Sequence, residues 1–259
     1  MSRTRPDGAF AHRRIGVAGR LAAAMILYVD YEHASTYLKP HADWLLAART
    51  RISYMLQDVT GHRCLLQRYT DVDEGIIDEL GVAAVFISGN GADADAYDPK
   101  DLDGLTAIIQ SGRTPVFGFC GGFQLLGTAL GASLERIGRL ADGEEDPHPK
   151  YQPGWRKELG YEPVELIGHH PLLDGLDRRP VFRHAHTWEL ANAPDGFINL
   201  ARTDVTELQY LAHESLPLAG TQFHPEYWTE EHAAGRRLIA NFCDWAGVGR
   251  SVGDGAVHE

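Results

Sequence analysis

Gly118-Phe119-Cys120-Gly121-Gly122-Phe123-Gln124 sets a cysteine between an apolar run and a helical pattern. Upstream, Pro115-Val116-Phe117 is short, apolar and introduced by proline, as a buried strand should be; downstream, Leu125, Leu126 and Leu130 recur at helical spacing. The spacing predicts a strand-to-helix turn at Cys120. So sharp a turn forces strained backbone on its central residue and leaves room beside it only where no β-carbon is present, and glycine stands two before and two after. Such a turn pushes the sulfur out of the sheet, sets it at a helix N-terminus that favours thiolate, and points the amide of Gly121 toward a developing oxyanion.

A nucleophilic thiol needs a base. Gly220-Thr221-Gln222-Phe223-His224-Pro225-Glu226 closes another apolar strand. His224 can take the thiol proton, and Glu226, two residues on, can hold the imidazole in one tautomer and stabilise its cation. That is the logic of a Cys-His-Glu triad.

The rest of the chain predicts the frame for these groups. Met25 to Asp30 reads as a first buried strand, Ser35 to Gln57 as its crossover helix, and His62 to Tyr69 as a second strand. A short helix follows over Glu74 to Leu80, then a third strand over Ala83 to Ser88, a glycine-rich loop, and a helix from Pro99 to Ser111. Strands alternating with helices imply a parallel sheet, whose ligands bind at the carboxyl ends of the strands, so the Ser88 loop, Cys120 and His224 should converge there. Beyond the elbow helix, Ala132 to Ile137 reads as a strand, and Ala141 to Trp155 is a long loop of Gly, Pro and charge that would serve as a lid or docking surface, or be a mobile insertion. Short strands follow at Glu162 to Ile167, Val181 to His186, Asn199 to Arg202, Leu208 to His213 and Leu218 to Gln222, before a last helix over Glu230 to Trp245. The expected fold is α/β: an open, mainly parallel sheet flanked by helices, with a more antiparallel C-terminal part.

With both motifs in hand the chain resembles the class I glutamine amidotransferases, whose nucleophile motif is G-x-C-x-G-x-Q and whose base motif is H-P-E. Ser88-Gly89-Asn90-Gly91 stands where that family has an S-G-G loop, His170-Pro171-Leu172-Leu173-Asp174-Gly175-Leu176 resembles its H-P-L-F-x-G-L segment, and Ala193-Pro194-Asp195-Gly196-Phe197 its L-P-x-G-F. The resemblance runs from Ile26 to about Trp245 and implies a flavodoxin-like fold. It also implies a glutaminase: Cys120 attacks the side-chain amide carbon of L-glutamine, His224 relays a proton to departing ammonia, and water hydrolyses the γ-glutamyl thioester.

On the same resemblance the oxyanion hole is formed by Gly121 with Gly89 or Asn90, and Gln124 helps hold the substrate, although its side chain could instead cap its own helix. Asn90 replaces a family glycine, and asparagine tolerates left-handed backbone better than most residues. Ala185-His186-Thr187 lies where the family has a serine-histidine-glycine stretch whose backbone meets the substrate α-carboxylate. Thr187 and Trp188 replace the glycine and aspartate there, so that end of the pocket is expected to be altered. The H-P-L-F-x-G-L-like and L-P-x-G-F-like segments resemble the guanylate-synthetase and anthranilate-synthase types, whereas the Cys-Gly-Gly elbow is more like the cobyric-acid-synthase branch.

Composition bounds the alternatives. At 259 residues the chain suits one α/β domain. With 24 basic against 36 acidic residues and a net charge of −12, a broad phosphate-binding face for nucleic acid is not expected. No apolar run approaches the roughly 20 residues of a membrane helix, so no membrane partner is expected either. Cys64, Cys120 and Cys243 are odd in number and widely spaced, pointing to a reducing cytoplasm rather than a disulfide framework. The expected boundaries are a disordered basic extension over 1–24, a domain over 25–246 and a flexible tail over 247–259. His184-x-His186 could ligate zinc or iron, but no further carboxylate or thiolate ligand stands at compatible spacing, so neither metal nor cofactor is expected. Nothing resembles an ATP-binding loop, so ammonia would pass to a synthetase or ligase partner on another chain. The competing functions are a γ-glutamyl peptide or amide hydrolase using the same triad, and a non-catalytic regulatory relative.

Overall fold

The first strand explains the frame. Met25–Asp30 (β1) is apolar at every position from Ile26 to Val29, and all four side chains are fully buried, as a central strand covered on both faces requires. A computed structural model describes residues 25–248; the basic extension over 1–24 and the tail from 249 onward lie outside the described residues. Gly247 and Val248, placed in the tail by sequence, are described, and Val248 is buried.

The chain then alternates through Ala42–Thr60 (α1), Arg63–Arg68 (β2), Glu74–Leu80 (α2), Val82–Ile87 (β3), Asp103–Ser111 (α3), Val116–Phe119 (β4) and Gly121–Ala129 (α4). The second half is Leu134–Arg136 (β5), Glu158–Pro163 (β6), Glu165–Leu166 (β7), Val181–His186 (β8), Trp188–Leu190 (β9), Phe197–Arg202 (β10), Tyr210–His213 (β11), Leu218–Thr221 (β12) and Ala234–Trp245 (α5). The main sheet runs β2-β1-β3-β4-β12-β11-β10-β7, parallel from β2 to β12 and antiparallel from β11 onward. Two small antiparallel sheets, β5 with β9 and β6 with β8, complete the strands.

Alternate residues of the central strands feed two cores. Ile26, Tyr28, Phe86, Phe117 and Phe119 face α1 and α5, meeting Ile52, Leu56, Leu238 and Phe242. Leu27, Val29, Val85, Ile87 and Val116 face α2, α3 and α4, meeting Ile77, Leu105, Ile108 and Leu126. No described helix is long and apolar enough to cross a membrane.

Four local expectations are corrected. The helix expected over Ser35 to Gln57 is split into a 3-10 turn, Ala34–Leu38, and α1, because Pro40 drives Lys39 into extended backbone. The single strand expected from Glu162 to Ile167 is two, β6 starting at Glu158 in a small sheet and β7 on the edge of the large one. Strand β9 has no counterpart among the expected strands, and α5 begins at Ala234, four residues later than its pattern suggests.

Candidate active site

Cys120 sits where the spacing places it, between β4 and α4, at φ 48° and ψ −104°, left-handed backbone that costs a side-chain-bearing residue about 1–3 kcal/mol. What holds it there is the absence of side chains around it. A β-carbon on Gly118 would lie 2.5 Å from the backbone of Gly122, and one on Gly122 would lie 2.3 Å from the carbonyl oxygen of Ile87. The Cys120 amide donates to Thr221 O (2.7 Å), tying the elbow to β12, while the Cys120 carbonyl accepts the first bond of α4 from Gln124 N (2.9 Å).

Parallel pairing of β12 with β4, Thr221 opposite Phe119, delivers the next residues of the chain to the elbow. His224 is anchored by its amide to Arg183 O (2.8 Å), and its Nδ1 lies 2.7 Å from Oε1 of the fully buried Glu226. Helix α5 seats this turn: a β-carbon on Gly235 would lie 2.1 Å from the Pro225 carbonyl. Burial pushes the His224 imidazolium down, but the Glu226 carboxylate and a hydrogen-bonded Cys120 outweigh it and raise the group to about 9. The three groups form a connected thiol–imidazole–carboxylate relay.

The loop after β3 closes over this relay. A β-carbon on Gly89 would lie 2.8 Å from the His224 ring and 3.4 Å from Cβ of Cys120, so glycine is required by proximity. The Gly89 carbonyl accepts from Arg49 Nη2 (2.6 Å) and Ser88 Oγ (2.9 Å), and the Gly91 amide is committed to Glu32 (2.7 Å). This leaves the Asn90 amide beside Gly121, a β-carbon on which would lie 2.9 Å from Asn90 N, while Gly89 packs on His224 and Cys120. Asn90 does not use left-handed backbone: among the described residues only Cys120 and Gln152 combine a side chain with positive φ. Its side-chain amide instead braces the loop, donating to Ala92 O and Tyr97 Oη at 2.9 Å each.

A cavity of about 370 Å³ opens from Cys120, lined by Asn90, Gly121, Gln124, Tyr151, Gln152 and the segment Ala185 to Trp188 among others. Gln124 does not cap its helix; its Nε2 donates to Trp188 O and Gln222 Oε1, each at 3.1 Å. Gln222 in turn donates to Cys120 Sγ (3.5 Å). Thr187 Oγ1 accepts from Arg136 (2.9 Å), whose guanidinium lies between the rings of Trp188 (4.4 Å) and Trp155 (4.8 Å). The ring of His186 turns away into the protein against Glu158 (3.1 Å).

The loop over 141–155 brings Tyr151 and Gln152 to the cavity, and it is anchored. The buried ammonium of Lys157 donates to Asp146 (3.0 Å) and to the carbonyls of His148, Tyr151 and Gln152 (3.2, 2.6 and 2.9 Å), while Tyr151 Oη reaches Ala185 O (3.1 Å).

Sequence reasoning misses three groups. Gln222 stands inside the His-Pro-Glu stretch but carries no signal of its own. Arg49 does: it is a charge within the stripe Leu45, Ile52 and Leu56 of α1, and its burial against Asp30 (2.8 Å) is what lets it hold Gly89. Glu158 is the carboxylate that the sequence around His184 and His186 lacks; it comes from the neighbouring strand, where Glu158 pairs with His186. Glu158, His184 and His186 are the described residues whose donor atoms converge as a metal's would.

The sequence profile of the family described as glutamine amidotransferase class-I matches residues 52–244. One subunit of the glutamine-hydrolysing GMP synthase of Methanopyrus kandleri is 31% identical over 137 residues, covering 53% of this chain and 64% of that one. The glutamine-hydrolysing GMP synthase of Nitratidesulfovibrio vulgaris is 29% identical over 224 residues, 85% of this chain and 36% of that one. The chain thus spans less than two thirds of either relative's length. In fold it is similar to a candidate GMP synthase subunit of Thermoplasma acidophilum, with TM-score 0.64 and 22% identity over 87% of this chain and 94% of that one. With most of the described chain inside the matched span, and a cysteine elbow and His-Pro-Glu turn brought together within it, the chain belongs to the class-I glutamine amidotransferase family.

Proposed function

We propose that this chain is a glutaminase that hydrolyses L-glutamine to glutamate and ammonia through a cysteinyl thioester and delivers the ammonia to a synthetase or ligase on a separate chain. The observation that carries the proposal is the coupling of Cys120, in its strained turn, to a His224 held at 2.7 Å by buried Glu226. The Cys120 thiolate attacks the side-chain amide carbon, and the oxyanion is met by the amides of Gly121 and of Gly89 or Asn90. His224 gives its proton to the leaving nitrogen, releasing ammonia and a γ-glutamyl thioester. Water, deprotonated by the now neutral His224, attacks the thioester; glutamate departs and the thiolate–imidazolium pair returns. Gln124 and the segment Ala185 to Thr187 hold the substrate. Relatives named as one subunit of a synthase support an acceptor on another chain. A reducing, cytoplasmic setting belongs to the same proposal, since the nucleophile must remain a free thiol.

A second reading, a γ-glutamyl hydrolase, is favoured by one observation: Thr187 and Trp188, which replace a glycine and an aspartate of the family, are engaged by Arg136 and reshape the wall where the substrate's α-carbon end would lie. The test is glutamate release from glutamine by the purified chain, beside Cys120→Ala, with a γ-glutamyl dipeptide in parallel. Cys120-dependent release from glutamine supports the glutaminase, and preference for the dipeptide supports the hydrolase. If neither turns over, a glutamine-analogue electrophile separates a glutaminase idle without its partner, which is labelled at Cys120, from a non-catalytic relative, which is not.

A further inference from the structure

Behind the cavity wall the paired strands β6 and β8 bury the side chains of two histidines and a carboxylate, which do no chemistry in the proposed reaction. Glu158 is 6% exposed, His184 0% and His186 3%, and one donor atom from each lies within 4.8 Å of the others. Burying polar groups without partners costs about 1–3 kcal/mol each, and this cluster has several. Neither ring nitrogen of His184 has a hydrogen-bond partner among the described residues, and Gln209 Oε1 is also without one. Gln209 instead donates its Nε2 to Glu158 Oε2 (2.5 Å).

His186 makes the pattern more specific. Its Nδ1 lies 3.1 Å from the Trp188 carbonyl, which can only accept, so the proton of a neutral ring is on Nδ1. The lone pair of Nε2 then faces Glu158 Oε2 at 3.1 Å, lone pair against lone pair. A doubly protonated His186 would mend that one contact, but it would leave both nitrogens of His184 and Gln209 Oε1 as they are. A cation among the three side chains mends that contact and also takes one nitrogen of His184. A ring proton donated to a backbone carbonyl is also how metal-binding imidazoles are usually oriented.

We propose that Glu158, His184 and His186 bind one first-row divalent cation of the zinc class, as a structural ion buried beneath the cavity wall. Two imidazoles and a carboxylate suit such a cation better than Mg²⁺ or Ca²⁺, which prefer all-oxygen sites. An ion with bonds of about 2.1 Å holds tetrahedral ligand atoms about 3.4 Å apart, so donor atoms that lie within 4.8 Å of one another, with His184 Nδ1 at 3.9 Å from Glu158 Oε1, must draw together around it. Water or Gln209 Oε1 completes the shell, the latter by an amide flip. The ion does no chemistry on the substrate. It fixes the end of β8 and the residue after it, where the Ala185 carbonyl and the Thr187 hydroxyl receive Tyr151 and Arg136.

The experiment is metal analysis of the full chain, purified without a metal-affinity step, followed by titration of the chelator-treated protein with Zn²⁺ and Co²⁺. Expected are about one ion per chain, a visible d–d band of low-symmetry Co²⁺, and a rise in melting temperature with Zn²⁺. His184→Phe, which removes a ligand while keeping the site filled, should weaken binding at least about tenfold and abolish the melting response; His184→Asn serves if the larger ring prevents folding. A wild-type chain that neither retains nor is stabilised by Zn²⁺, Co²⁺, Fe²⁺ or Mn²⁺, or that binds them no better than the His184 variant, overturns the proposal and leaves a Glu158–His186 ion pair.

Discussion

Replacing Arg49 tests how the fold holds the loop after β3. Arg49 is 3% exposed, and its guanidinium spans Asp30 Oδ1 at 2.8 Å and the Gly89 carbonyl at 2.6 Å, while Asp30, 5% exposed, also accepts from Tyr37. Arg49→Met keeps the helix and most of the volume but strands the Asp30 carboxylate in the interior. Breaking a buried pair from one side costs about 3–5 kcal/mol, and at about 2–4 °C per kcal/mol for a domain of this size the melting temperature should fall by roughly 6–20 °C. The freed Gly89 carbonyl can rotate, so the amides that would meet the oxyanion lose their aim. Loss of one such donor costs about 10²–10³ in kcat, and KM should change much less. Arg49→Lys should recover part of the stability and little of the rate, because one ammonium cannot reproduce the planar fork. Asp30→Asn combined with Arg49→Met should recover stability but not turnover. Thermal melts and glutamate release on the four proteins decide the matter. If Arg49→Met melts within a degree or two of wild type and turns over normally, both the buried-pair and the loop-positioning arguments are wrong.

Other expectations are as direct. Cys120→Ala should abolish glutamate release while changing stability by less than about 1 kcal/mol, whereas Cys120→Gly, relieving φ 48°, should gain about 1 kcal/mol in urea unfolding; retained turnover in either would remove the thioester mechanism. His224, raised by its partners from 6.5 to about 9, contributes stability that is fully present below pH 6.5 and lost as pH rises through about 9, a span worth about 3 kcal/mol. Glu226→Gln should flatten that decline in unfolding free energy measured from pH 6 to 10, and an unchanged slope would mean that Glu226 does not hold the charge. Gly122→Ala, with its new carbon 2.3 Å from a backbone oxygen, should cost about 3 kcal/mol or more, against about 1 kcal/mol for Gly131→Ala, which has open space but φ +95°. Equal melting temperatures for that pair would show that the elbow is not closely packed.

The sheet and the meeting of Cys120, His224 and Glu226 are legible in the sequence for the same reason: both are written in short, local patterns. Apolar runs mark β1, β3 and β4, and the glycines around Cys120 announce a close approach whatever it is against. The relation of Cys120 to His224 needs only the parallel order of strands. What the sequence hides is long-range pairing. Glu158 meets His186 only because β6 lies against β8, and the spacing along the chain gives no hint of it. Pro40 shows the opposite failure, a local signal outweighed by helical periodicity, which runs the predicted helix through a residue that stops one. At Asn90 the residue type suggests backbone tolerance, yet its side chain is what the loop uses.

The loop over 141–155 is built around a charge rather than a hydrophobic cluster. Its middle, from Asp146 to Gln152, gathers on a single centre, the Lys157 ammonium, whose ligands are one carboxylate and three carbonyls, much as a crown ether holds one ion. A shape of that kind is cooperative: the carbonyls repel one another without the ion, so they assemble together or not at all. The wall that carries Tyr151 and Gln152 to the cavity therefore behaves as one unit, and substitutions along its outer face can vary widely while the cation keeps the same two side chains in place.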